Sequence, residues 1–286
     1  MFTDGPATPV RIEVLLNVLK QNIGGLNRGL ICSLLQPEPL LERGPEITKA
    51  NIHAVLQLNL AEEKKDVIIL SAEYEKKKSF KENILIAADS KILFNWKIEY
   101  HLALFYAYYL GLNEKVYERT KFKGEEWADH FNKDVFDSKR QENKFNEVKF
   151  NGLHRWMRYL GLGWYDSNDN FQANPYERLL RTLPDVFEKK HKLSGDDFMK
   201  RLAKVCPELD GGDIFIKANK YRNYNVADKQ CTLGLSHALV DLHRDKIIRL
   251  VCPIDSRGWN IVLAQPPRDD TLKSDRIEII EFLGNK

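Results

Sequence analysis

Apolar positions in residues 10–22 (VRIEVLLNVLKQN) fall at helical spacing through Val10, Val14, Leu15, Val18 and Leu19. A Gly-Gly-Leu-Asn break leads into GLICSLLQP, a second short helix that stops near Pro37. ITKANIHAVLQLNLAEE predicts a third helix, with Thr48 as N-cap and Ile52, Val55 and Leu56 on one face. EEKKDVIILSAEY then reads as a turn followed by an edge strand. Three short helices and a strand follow one another in the order of a winged helix-turn-helix.

From about Lys76 to Pro184 the pattern is mainly helical. Leu153, Trp156, Met157 and Leu160 stand at i, i+3, i+4 and i+7, a full apolar stripe. Gly161 follows where a helix end takes a left-handed residue, and Asn59 holds the same place in the first segment. GWYDSNDNFQANP sets aromatic residues around a polar turn and predicts a hairpin wing. The last third repeats the plan. Ser194 is an N-cap with two acids behind it, and Leu235, Ala238, Leu239 and Leu242 repeat the stripe. IIRLVC, a DSRG turn and WNIVLAQP then predict a β-hairpin.

The expected fold is mainly α with short β-hairpins (α+β), arranged as tandem winged helix-turn-helix-like domains. Their expected bounds are residues 1–75, a helical middle domain at 76–190 carrying a second such unit, and 191–286.

The Leu-Gly-Leu-Gly of residues 160–163 is not a phosphate loop. Such a loop needs glycines after a strand and before a helix, so that backbone N–H groups face the phosphate. Here they follow a helix, and no Gly-Lys-Ser/Thr comes after them. CPELDGGDIFIK (206–217) opens like a metal-dependent nuclease signature, but Phe215 stands where an acid would flank the metal-bound water beside Lys217. It reads instead as a turn between a helix and an extended segment. His237 and His243 are six residues apart, on opposite faces of a helix. No catalytic residue, metal ligand or cofactor is expected, and the chain reads as non-enzymatic.

Composition narrows the partners. The net charge is only +3, from 44 basic and 41 acidic residues, so a nucleic-acid footprint requires local clustering. Cys32, Cys206, Cys231 and Cys252 are scattered without zinc spacing and read as reduced thiols of a cytoplasmic protein. The N-terminus lacks a secretion pattern, and the apolar segment 92–112 carries Lys97, Glu99 and His101, so it reads as a core helix rather than a membrane anchor.

Two basic clusters stand out. Residues 138–165 hold six basic side chains (Lys139, Arg140, Lys144, Lys149, Arg155 and Arg158) against two acids. The stripe at 153–160 leaves Asn151, His154, Arg155 and Arg158 pointing away from the core. Arginine can bond guanine edges and asparagine adenine in the major groove. In KANKYRNYN, Lys217, Lys220 and Arg222 alternate with tyrosines, a pattern for phosphates and stacked bases. Residues 1–75 carry seven basic and ten acidic side chains, which favours contact with protein there.

The runs Trp156–Trp164 (WMRYLGLGW), Cys206–Gly212 (CPELDGG) and Thr232–Leu239 (TLGLSHAL) resemble the bacterial DpdG family. That family comes from gene clusters that insert 7-deazaguanine derivatives into DNA and restrict unmodified DNA. The resemblance implies an accessory protein on the restriction side of an anti-phage system, beside helicase and nuclease subunits. The expectation is a DNA-binding or adaptor subunit contacting double-stranded DNA through Lys144, Lys149, Asn151, His154, Arg155, Arg158, Lys217, Lys220 and Arg222. The alternatives are a protein-interaction scaffold that does not touch DNA and a winged-helix transcription regulator, which would act as a homodimer.

Overall fold

Thr8 starts the first helix, its hydroxyl accepting from the Arg11 N–H at 3.5 Å, and Pro9 takes the first turn, where its missing N–H costs nothing. Helix α1 (Pro9–Gln21) buries Ile12, Leu15, Leu16 and Leu19, whereas Val10 and Val14 are exposed. The buried face is thus centred elsewhere on the helix than the valines suggest. The computed structural model describes residues 7–37, 45–75, 79–93, 100–136, 144–222, 225–255, 257–262, 272 and 275–284. These are mainly helical, with small antiparallel sheets. They divide into two compact units, one of residues 1–102 with 146–159 and one of 103–145 with 160–286. The helix at 147–159 thus clusters with the N-terminal residues.

In the first unit, β1 (Leu26–Asn27) leads to α2 (Arg28–Leu35), capped by the Asn27 side chain. Helix α3 (Glu46–Gln57) begins after Pro45. Thr48 is therefore not its N-cap. It is buried in the first turn, and its N–H donates to Gln36 Oε1 at 2.6 Å. After Asn59, left-handed at φ 58°, come β2 (Ala61–Lys64) and β3 (Val67–Leu70), joined through Lys65 and Asp66, both at positive φ. The sheet order is β1–β3–β2, so β3 is central rather than an edge. The segment read as a turn contains β2, whose exposed Glu62, Glu63 and Lys64 hide a strand from apolar patterning. Helices α4 (Ala72–Glu75) and α5 (Phe80–Ala88) follow, the latter passing into a π-helical turn at Asp89–Leu93.

The second unit is built on α6 (Tyr100–Leu112), buried along residues 101–112. The ring of Phe105 lies 5.2 Å from that of Phe131 and 5.3 Å from that of Phe145. Residues 94–99 of the apolar segment lie outside the described residues. Short α7 (Lys115–Glu118) and α8 (Gly124–Val135) precede α9 (Glu147–Tyr159), which belongs to the first unit. Strands β4 (Gly163–Tyr165) and β5 (Phe171–Ala173) form the expected hairpin, with the Asp166 carboxylate accepting from the Asn168 and Asn170 N–H groups at 2.9 Å.

The rest of this unit runs through α10 (Tyr176–Phe187), β6 (Lys192–Ser194), α11 (Gly195–Val205), α12 (Asp213–Ala218) and α13 (Leu233–Arg244). It ends with β7 (Ile248–Val251), β8 (Trp259–Asn260), β9 (Arg276–Ile277) and β10 (Ile279–Phe282). Ser194 caps α11 as expected, accepting from the Asp197 N–H at 3.1 Å. The predicted hairpin between 247–252 and 259–266 does not form. Strand β7 pairs with β10, placing Leu250 opposite Ile280, while β8 pairs with β9. The predicted turn residue Ser256 and residues 263–266 lie outside the described residues. Segment 213–218, expected to be extended, is helix α12. The sheet order β6–β10–β7 repeats β1–β3–β2: first strand outside, last strand in the centre. Hairpin β4–β5 has no third strand among the described residues.

Candidate nucleic-acid interface

Helix α9 opens at Asn146, whose side chain accepts from the Lys149 N–H at 3.0 Å, with Glu147 in the first turn where a negative charge suits the helix dipole. Phe150, Leu153, Trp156 and Met157 are buried. Two polar contacts fix this face against the N-terminal segment. The Trp156 indole donates to the Ala7 carbonyl at 3.2 Å, and the Tyr159 hydroxyl donates to Glu13 Oε1 of α1 at 2.5 Å. The opposite face is solvent-exposed and carries Asn151, Arg155 and Arg158 at i, i+4 and i+7. Among the described residues neither arginine makes an ion pair.

Two of the residues read from the sequence do not belong to that face. Lys149 is only 6% exposed, because it lies on the apolar side of the helix one position before Phe150. His154 sits at the flank with its ring 4.0 Å from that of Phe150. Burial pushes its pKa down to about 4, so it is neutral at pH 7 and offers phosphate no charge.

The remaining basic residues lie in the second unit. Lys144 is exposed, 3.8 Å from Asp129 of α8. Lys217 and Lys220 are exposed at the end of α12 and the start of the 3-10 turn Lys220–Arg222, which packs on α8. Tyr221 beside them is partly exposed, its ring 5.9 Å from that of Tyr108. The Tyr108 hydroxyl in turn donates to Asp134 at 2.8 Å. The side chain of Arg222 lies outside the described residues, as do Lys139 and Arg140.

The helices that precede β2 and β7 in the two three-stranded sheets offer less to an anion. On α3 and its hairpin, Lys49 pairs with Glu46 at 2.9 Å and Lys64 with Glu62 at 2.7 Å. Arg28 makes a two-pronged pair with Glu63 at 2.6 and 2.7 Å. Helix α13 is mostly buried. Gly234 lies against Leu110 of α6 and the Ala173 carbonyl of β5 so closely that a Cβ there would stand 2.6 and 2.8 Å from them. Asn174 and Tyr176 hold its other end through Asp241 at 2.9 Å and Asp245 at 2.6 Å.

The acidic turn at 206–212 is internal as well. Glu208 pairs with Arg178 of α10 at 2.9 Å, both shut off from solvent. Asp210 accepts from the Thr232 N–H at 2.6 Å and hydroxyl at 2.9 Å, so it anchors the residue that caps α13. Desolvation pushes the Asp210 pKa up to about 6. Sequence reasoning missed this network. Its only signal was a pair of acids in an otherwise apolar neighbourhood, which without the fold looks like a surface turn. Among the described residues no group of three His, Cys, Asp or Glu side chains could hold a metal ion, and no helix is long and apolar enough to cross a membrane.

A family model described as DpdG-like matches residues 2–256. The chain belongs to the DpdG-like family. The match includes residues 156–164, 206–212 and 232–239, the runs whose sequences carry the resemblance. No match is found among curated proteins or among solved structures.

Proposed function

We propose that this DpdG-like protein is a non-enzymatic DNA-binding or adaptor subunit of a bacterial DNA-modification or anti-phage restriction system. It would act beside helicase- or nuclease-type subunits, with α9 as its DNA-contacting element. The observation that carries this reading is the exposed Asn151–Arg155–Arg158 face, whose arginines have no carboxylate partner among the described residues. Exposed guanidinium groups on a helix suit phosphates and guanine edges. A winged-helix reading of both three-stranded assemblies is supported by their shared order of helix, strand, helices, strand and central last strand. In neither is the expected reading helix equipped for DNA, since one is charge-paired and the other buried. These assemblies serve the reading better as structural or partner-binding modules. The acids nearest to a nuclease pattern, Glu208 and Asp210, are consumed by internal contacts, which supports a non-enzymatic role.

The test is a salt titration of duplex binding by fluorescence anisotropy. Replacing Arg155 and Arg158 by Ala weakens binding and lowers the slope of log K against log salt by about 2, as expected when two phosphate contacts are lost. Unchanged affinity and slope remove α9 as the DNA face. The same duplex carrying 7-deazaguanine distinguishes a sensor of modification from a general binder.

A scaffold reading has its own observation. Leu30 and Leu34, one turn apart on α2, are both exposed, and in the same unit Arg28, Lys49 and Lys64 are each paired with a glutamate. Partner capture that persists at high salt, with no duplex binding, would favour it.

A further inference from the structure

Helix α9 exposes one aliphatic side chain among polar ones. Val148 is 68% exposed in the first turn, and Asn151, Arg155 and Arg158 follow it at i+3, i+7 and i+10. These positions lie within one quadrant of the helix, opposite Leu153, Trp156 and Met157, and span about 15 Å of its length. A face serving only phosphates would gain nothing from valine, since phosphate attraction uses charge alone. A β-branched residue is also a poor choice for an exposed helix position. Base edges are different. The thymine C5-methyl is the one apolar group the major groove presents, and it lies beside the acceptors and donors that Arg and Asn read.

We propose that Val148 is a specificity-determining residue that packs on thymine methyl groups, so that α9 selects thymine-containing duplex in the major groove. This rests on α9 being the DNA face. The alternative occupant, a protein surface, would be indifferent to the methyl.

The experiment compares one duplex with a copy in which every thymine is replaced by uracil, which removes the methyl and leaves the hydrogen-bonding pattern. The wild-type protein binds the thymine duplex about fourfold more tightly for each methyl contacted. Val148→Ala binds both duplexes alike, near the wild-type affinity for the uracil form, with an unchanged salt slope. Equal binding of both duplexes by the wild type overturns the inference and leaves the DNA reading intact. A preference that survives Val148→Ala overturns it too, assigning the discrimination elsewhere. No duplex binding by the wild type at low salt overturns both.

Discussion

Arg178 Nε lies 2.9 Å from Glu208 Oε1, and both side chains are closed to water. The pair ties α10 to the 206–212 turn, and the same turn holds the cap of α13 through Asp210 and Thr232. Two charges moved into a protein interior are tolerated only while each has the other, so the cost appears when one is removed.

Arg178→Met should therefore destabilise the protein by about 3–5 kcal/mol, because it leaves the Glu208 carboxylate buried without its cation. The double change Arg178→Met with Glu208→Leu should recover much of that loss, because no buried charge then remains. Urea unfolding of the three proteins checks both statements.

Asp210 binds its proton more tightly folded than unfolded, since burial pushes its pKa up to about 6 from an ordinary carboxylate value near 3.8. Its contribution to stability is fully present below the unfolded value and is lost as pH rises through the folded one. Between those values the unfolding free energy should fall by at most about 1.4 kcal/mol per pH unit from this group. Asp210→Asn should remove that component while keeping one acceptor for Thr232. Subtracting the two urea profiles over pH 3.5–7 isolates it.

His154 behaves in the opposite sense. Its folded pKa of about 4 lies below the unfolded value near 6.5, so its contribution is complete above the unfolded value. It is lost as pH falls from about 6.5 toward 4. Imidazole resonances in a pH titration should stay in the neutral position at pH 5.5. If the His154 resonances show a proton taken up above pH 6, the half-buried placement of His154 against Phe150 is wrong.

Gly234 packs where no side chain fits. Gly234→Val should cost about 1–3 kcal/mol or more, because the added atoms must displace Leu110 or the β5 backbone. Gly24→Ala, where a Cβ meets nothing within 4 Å, should change stability by no more than about 0.5 kcal/mol. Thermal denaturation of the two variants compares them directly.

The sequence by itself determined the local features. The stripes at 153–160 and 235–242 are buried as their spacing predicts. Ser194 caps α11, and Asn59 and Gly161 take left-handed conformations at φ 58° and 68°. These follow from rules that act within a turn or two of chain, where only the covalent neighbours matter. Even there identical letters diverged. The Tyr-Leu-Gly-Leu of 109–112 resembles that of 159–162, yet Gly111 stays inside α6 against Asn219 and the left-handed residue is Asn113. Tertiary structure alone decided the rest. Strand β7 took β10 as partner across a long excursion, β2 formed from charged residues because β3 was beside it, and the 206–212 acids went inward to meet Arg178 and Thr232. At the candidate site, the exposure of Asn151, Arg155 and Arg158 was legible from the stripe, whereas the burial of Lys149 and the neutrality of His154 were not. Whether a position at the margin of an apolar stripe is covered depends on what packs there from far along the chain, and helical periodicity carries no record of that neighbour.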